Sequence, residues 1–414
     1  MTNEVRRVVI TGVGAVTPLG LDVNTTWKNL IDGRHGIAPI TQFDTTDYKA
    51  KLAAEVKNFD PREYLDKSET MRTDSNAQFA VAAADQAVAD SGIAGKVVPE
   101  RIAVYIGSGI GGIKTFSEEY DKLRKRGPKR VSPYFVPKLI ANMASGMVAI
   151  RHGCKGPAIP TVTACASGSN AIGEALRLIR HGYADAVISG GCEASIAEIG
   201  VAGFVNMQAL TVSEDPDAAS LPFDKRRGGF VIAEGGAVII LEEYEHAVSR
   251  GANIYCEICG YGSTCDAYHI TAPEPEGKMA ALTMKQAMDE AGYTADDTVY
   301  INAHGTGTPL NDVTETKAIK KAFGEKKAAE IKISSIKSMT GHMLGAAGAM
   351  EAIACIKALQ EEILPPTVNL KEPDPDCDLD YVAGSAEKYD ASLMLSNSLG
   401  FGGHNACLAF RKVK

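Results

Sequence analysis

The sequence predicts an α/β fold in which sheets are buried by helices on their faces. Two observations carry this: short apolar, β-branched runs alternate with amphipathic helices along the chain, and the pattern of the first half recurs in the second. At 414 residues the chain exceeds the ~100–200 residues of one domain, so it can bury a large core. Hydrophobic residues at 45% and charged residues at 23% fit a globular protein, and Gly 41 with Pro 18 falls short of a low-complexity composition.

The first strand is expected at 6–10, followed by a glycine turn, Thr11-Gly12-Val13-Gly14-Ala15, and a helix over 23–31 that Gly33 closes. Further strands are expected at 102–106, 158–163, 186–189, 238–242, 252–259, 299–303, 331–335 and 394–396. Three short matches then relate the halves. The run from Arg6 to Gly14 resembles that from Ile254 to Gly262, and Val104-Tyr105-Ile106-Gly107-Ser108 resembles Val299-Tyr300-Ile301-Asn302-Ala303. The strand, small-residue turn and helix around Cys165 likewise resemble those around His342. This reads as a duplicated α/β unit with its boundary near 249–253, dividing the chain into halves 1–250 and 251–414. No flexible linker is visible, so the halves should share one large interface.

Charge and cysteine usage exclude several classes. The balance of 43 basic against 51 acidic residues, net −8, argues against broad binding to nucleic acid or anionic lipid. No run of about 18 apolar residues and no signal-peptide pattern appears, so no membrane span is expected. Nine cysteines, odd in number and scattered through apolar segments, fit reduced thiols in a cytoplasmic protein. Cys256, Cys259 and Cys265 with His269 faintly resemble a zinc knuckle. Residues three apart on a strand face opposite ways, however, so structural thiols are expected there. Gly107-Ser108-Gly109-Ile110-Gly111-Gly112 has the letters of a dinucleotide fingerprint but lacks the surrounding unit and ribose-binding acid, so its glycines read as close packing and no nicotinamide cofactor is expected.

The chemistry concentrates at strand ends. Thr163-Ala164-Cys165-Ala166-Ser167-Gly168-Ser169-Asn170 leads into a helix striped by Ile172, Leu176 and Ile179 and stopped at His181-Gly182. Cys165 falls at that helix N-terminus, where free N–H groups and the positive end of the dipole favour thiolate and lower the pKa. An arbitrary cysteine is more often a buried structural thiol; the neighbouring motifs reverse those odds. Ala303-His304-Gly305-Thr306-Gly307-Thr308-Pro309 sets His304 at a strand end, with Thr306 and Thr308 offering hydroxyls to a polar ligand. Lys337-Ser338-Met339-Thr340-Gly341-His342 adds a cation and a second imidazole before a helix over 344–359 that carries Glu351. Ser396-Asn397-Ser398-Leu399-Gly400-Phe401-Gly402-Gly403-His404-Asn405 has the glycine density of a backbone that approaches a ligand closely and can donate N–H groups to an oxyanion.

These four ordered motifs, spread over essentially the whole chain, resemble the elongating β-ketoacyl-acyl-carrier-protein synthases, nearest to the synthase II type. The resemblance implies a thiolase-like fold, five layers in the order αβαβα built from two duplicated halves, and a homodimer. It implies that Cys165 is acylated and that His304 and His342 polarise a malonyl thioester as carbon dioxide leaves. It further implies that the N–H groups of Cys165 and Phe401 form an oxyanion hole, that Phe401 gates access, and that Lys337 and Glu351 fix charge and orientation around His342. Thr306 and Thr308 would bind the phosphopantetheine arm of acyl carrier protein, and Ile110 and Phe204 would line an acyl tunnel. No catalytic metal or cofactor is implied, although the family can hold a monovalent cation near Asn302, Glu351 and Asn397. Leu399 and His404 stand where the family more often has Phe and Thr; His404 reads as a polar residue orienting the loop.

The strongest basic run, Lys122-Leu123-Arg124-Lys125-Arg126-Gly127-Pro128-Lys129-Arg130, is expected to help dock the acidic carrier near Arg126 and Lys129. The priming synthases pair cysteine with histidine and asparagine, and thiolases use a second cysteine, so two histidines favour elongation. A polyketide-pathway ketosynthase shares these motifs. A non-catalytic ketosynthase partner typically lacks the nucleophile.

Overall fold

The computed structural model describes residues 5–413. Ten strands form the main sheet: β1 (Val8–Val16), β2 (Ile102–Gly107), β3 (Ala158–Thr161), β4 (Ala186–Glu193), β5 (Gly235–Glu243), β6 (Cys256–Cys265), β7 (Val299–Asn302), β8 (Lys332–Ser334), β9 (Leu393–Gly400) and β10 (His404–Arg411). Their order is β8-β7-β9-β10-β6-β1-β5-β4-β2-β3. Counting outward from the centre, each set of five runs first, fifth, fourth, second, third. In each set the second strand is parallel to the third and fourth, and the fifth is antiparallel to the fourth and first. Three short sequence matches thus correspond to a repeat of the whole strand topology. The two sets are paired at Val9 with Glu257 and Ile10 with Cys256.

One expectation is corrected here. In place of the expected glycine turn, β1 continues through Gly12 and Gly14 with a bulge after Ile10, and β6 likewise continues through Gly260 and Gly262. A Cβ on Gly12 or Gly14 would lie 2.2 or 2.1 Å from the carbonyl oxygen of Ala87 or Ala83, in the helix Ser75–Ser91. On Gly260 or Gly262 it would lie 2.1 or 1.9 Å from that of Ala287 or Thr283, in the helix Lys278–Glu290. The shared Gly-x-Gly is a packing device that seats an outer helix directly on the first strand of each half.

The helices Ser167–Arg180 and Ala347–Glu361 pack together, and each touches strands of both sets, so the half-sheets face each other across them. With the outer helices this makes five layers, αβαβα. The three largest apolar clusters follow these layers, a central one around the two inner helices and one between each half-sheet and its outer helices, while a smaller cluster gathers around Cys165 and Phe230. Cys256 belongs to the central core and Cys259 to an outer one, the opposite facing that strand alternation requires. Strand β10 is not among the strands expected from the sequence, although Ala406 to Phe410 is an unbroken buried apolar run. Among the described residues no helix is long and apolar enough to cross a membrane.

Candidate active site

The turn that presents Cys165 is bent by Ala164, whose φ of 51° lies in the left-handed region that a residue with a Cβ seldom adopts. Local hydrogen bonds hold it there. Thr163 N donates to Ser167 Oγ at 2.9 Å, Ser167 Oγ donates to Ala164 O at 2.6 Å, and Asn170 Nδ2 donates to Thr163 Oγ1 at 2.7 Å. Gly400, at the end of β9, lies so close that a Cβ there would stand 2.7 Å from Thr163 O, which explains a glycine at this position. Cys165 is 6% exposed. It sits in a 3-10 turn that runs straight into the central helix from Ser167.

Both histidines converge on it from the second half. Cys165 Sγ and a ring nitrogen from each of His304 and His342 all lie within 4.8 Å of one another. The two imidazoles meet edge to face, with centroids 5.3 Å apart. His304 leaves the end of β7 on a loop clamped by Glu315, whose carboxylate accepts from His304 N and Gly305 N at 2.8 Å each. Asp312, one turn earlier on the same helix, accepts from Gly307 N at 3.2 Å and Phe223 N at 2.7 Å. His342 is gripped by its backbone: its N donates to Val231 O at 2.7 Å and its O accepts from Ala233 N at 3.0 Å. Phe230 packs edge-on against its ring.

Lys337 is buried beneath this pair. Its Nζ donates to His304 O at 2.6 Å, lies 3.4 Å from His304 Nδ1, and forms an ion pair with Glu351, so its contacts fall on His304 rather than on His342, where the resemblance puts them. An ammonium facing Nδ1 makes that nitrogen an acceptor and leaves the His304 proton on Nε2. Both ring nitrogens of His342 are buried without a protein partner and so are free for a ligand. Burial, reinforced by the Lys337 charge, holds both imidazoles well below their ordinary 6.5, so both are neutral at neutral pH.

The expectation of a thiolate is overturned. Burial pushes the Cys165 thiol from 9.0 up to about 12, against the downward pull of the Lys337 charge and the Phe401 N–H. The helix N-terminus acts in the lowering direction too, but desolvation wins at the buried sulfur, which rests as a thiol.

A cavity of about 340 Å³ opens onto these groups, lined among others by Thr306, Thr308, Leu310, Met207 and Phe401. The Thr306 and Thr308 hydroxyls are 2.9 Å apart. Phe204 stands behind Phe230, edge to face at 5.7 Å. Ile110 is outside this cavity and 39% exposed. Phe401, Gly402 and Gly403 form the hairpin turn between β9 and β10, with the His404 ring against Gly402. Arg126 ends an exposed helix and Lys129 lies in the 3-10 turn that follows.

Sequence reasoning missed Glu315, Asp312 and Phe230. The first two left a signal: carboxylates three residues apart on a helix starting at Pro309 share a face, directed back at the loop they clamp. Four buried oxygens, Asn302 Oδ1, Glu351 Oε2, Ser396 Oγ and Asn397 Oδ1, have no protein partner. One carboxylate and three neutral oxygen donors are the ligand type a hard monovalent cation takes, and such an ion would satisfy these unpartnered oxygens.

The family described as β-ketoacyl synthase, N-terminal domain, matches residues 5–247, and that described as β-ketoacyl synthase, C-terminal domain, matches 255–371. A 3-oxoacyl-(acyl-carrier-protein) synthase 2 from Synechocystis sp. (strain ATCC 27184 / PCC 6803 / Kazusa) is 51% identical over 413 residues, covering 99% of each chain. The crystal structure of a β-ketoacyl synthase from Burkholderia phymatum STM815 is 36% identical with a TM-score of 0.92, over 99% of this chain and 100% of that one. A type II polyketide ketosynthase, solved with its acyl-carrier protein and bound to a hexaketide, is 34% identical with a TM-score of 0.90 at the same coverage. By fold and by sequence over its whole length, the chain belongs to the β-ketoacyl synthase family.

Proposed function

We propose that the chain lengthens an acyl group by two carbons at Cys165, with His304 and His342 stabilising the enolate derived from malonyl-acyl-carrier protein. It is an acyltransferase, a 3-oxoacyl-acyl-carrier-protein synthase of the synthase II type acting in fatty acid elongation. The observation that carries the assignment of roles is one buried thiol with two neutral imidazoles inside 4.8 Å at a ligand-sized cavity.

The sulfur attacks the acyl thioester, its proton passes to the departing carrier thiolate, and the N–H groups of Cys165 and Phe401 hold the tetrahedral oxyanion. Malonyl then loses carbon dioxide. The electron pair moves onto the thioester oxygen, where His304 Nε2–H and a ring N–H of His342 donate to it. Neutral imidazoles suit this step because they donate hydrogen bonds to an anion without protonating it outright. The enolate carbon attacks the Cys165 thioester, and collapse expels the sulfur, which takes up a proton from solvent, the one proton each decarboxylating turnover consumes. Thr306 and Thr308 bind the pantetheine arm, Phe401 gates the pocket, Lys337 and Glu351 orient His304, and Phe204, behind Phe230, borders the acyl chain, whereas the exposed Ile110 has no contact with this cavity to support a tunnel role. The halves 1–250 and 251–414 divide the work: the first holds the nucleophile, the second the decarboxylating groups.

The enzyme works with acyl carrier protein, whose acidic surface docks near Arg126 and Lys129. A homodimer is supported by edge strand β3, where Ile159 is 47% exposed beside exposed Val162. All nine cysteines are free, which supports a reducing, cytoplasmic setting. A polyketide role is the second reading, favoured by the 34% identical neighbour. Incubation with acyl-carrier proteins of varied chain length, peptide mass spectrometry, and then addition of malonyl-carrier protein separates the readings. Acylation at Cys165 followed by a 3-oxoacyl product supports elongation. No adduct with any acyl chain overturns it.

A further inference from the structure

The duplicated fold builds the catalytic corner twice, and the second corner is not empty. The left-handed residue Ala164 recurs as Leu344, φ 47°, each opening a 3-10 turn and then a central helix. In that register Gly345 stands where the other half has Cys165, and Val162 stands where it has His342. The match of Val104 with Val299 puts Gly109 opposite His304. Across the sheet, Gly107 faces Gly191 and its counterpart Asn302 faces Ser396, so Glu193 corresponds to Ser398. All three reactive side chains have therefore become Gly, Gly and Val, while a short serine has become glutamate.

That glutamate is fully buried, and its carboxylate fills the corner. Oε2 accepts from Gly109 N at 2.7 Å and Gly345 N at 3.1 Å; Oε1 accepts from Ser108 Oγ at 3.3 Å and Ser195 Oγ at 3.2 Å. Gly345 N is the positional counterpart of Cys165 N, which faces the oxyanion in the catalytic corner. We propose that the second corner is a carboxylate-binding pocket occupied by the chain's own Glu193, which acts as a positioning residue for the Cys165 turn. The coupling is short: a Cβ on Gly168, three residues beyond Cys165, would lie 2.9 Å from Gly345 O, and one on Gly109 would lie 3.5 Å from Ala164 O. One carboxylate thus ties β2, β4 and the Gly345 turn against the nucleophile.

Thermal melting tests the pocket without substrate, so its outcome is independent of the condensing role. Glu193→Ala should melt below wild type, and formate at about 0.1 M, against chloride at equal ionic strength, should raise its melting temperature more than that of wild type or Glu193→Leu. A folded Glu193→Ala with no selective response to formate overturns the pocket. Glu193→Gln keeps an acceptor for both N–H groups and covers the case in which the alanine variant does not fold. Losing the nearby negative charge should then shift the pH profile of Cys165 alkylation by iodoacetamide toward lower pH, above about 7, where burial places the Glu193 ionisation. A profile superimposable on wild type overturns the positioning role.

Discussion

The catalytic corner and its duplicate share one backbone and differ in almost every side chain. Both have a strand, a left-handed residue, a 3-10 turn and a buried helix, yet one holds Cys165 with two histidines and the other holds a carboxylate between glycine N–H groups. The topology determines where a reactive group can stand and which N–H groups face it. Chemistry then depends on three or four side chains, most of them drawn from the other half. Neither half completes a site alone: Cys165 belongs to the first, and His304, His342, Lys337, Glu351 and Phe401 to the second.

The sharpest way to break this comparison is to make the catalytic corner resemble its copy. Cys165→Gly should abolish the acyl adduct and reduce chain extension by about a thousandfold or more, read by product formation from acyl- and malonyl-carrier protein. His342→Ala should leave acylation of Cys165 intact but slow carbon dioxide release by about 10²–10³, read with labelled malonyl-carrier protein. Equal loss of acylation in that variant would contradict the division of labour. Lys337→Met strands Glu351 in the interior and should cost about 3–5 kcal/mol of stability in denaturant unfolding, while adding Glu351→Leu should recover most of it.

A pH experiment sharpens the same contrast. Burial raises the Glu315 carboxyl from the ordinary 4.5 to about 7. The folded chain therefore holds this proton more tightly than the unfolded one. Its contribution to stability is full below about pH 4.5 and is lost as pH rises through 7. Between pH 5 and 8, about the window of that shift, Glu315→Gln should lose less melting temperature than wild type. The smallest effect is expected at the surface. Charge reversal at Arg126 and Lys129 should raise the Michaelis constant for carrier protein several-fold, leave turnover unchanged, and lose its effect at high salt. An unchanged Michaelis constant would remove that segment from the docking site.

Much of this site was legible because its residues come in compact strings. Cys165, His304 and His342 each sit in a glycine- or small-residue motif at a strand end, and such motifs survive inspection one residue at a time. Glu193 and Phe230 had no such string. Glu193 meets Gly345 across 152 positions, and no periodicity links them. Strand β10 went unread although its five-residue apolar run was visible, because the glycine-rich segment before it read as a loop. The Gly-x-Gly runs were visible but suggested the wrong geometry, since a helix lying on a strand needs glycine as much as a turn does.

The sequence by itself determined the fold class, the duplication and the short motifs that carry Cys165, His304 and His342, because these depend on residue type and short-range order. Tertiary structure alone decided that the thiol is protonated at rest, that His304 carries its proton on Nε2, and that Glu193 fills the second corner. Each of these depends on burial and on distances between residues far apart in the chain, and a charge taken out of water responds to its whole surroundings.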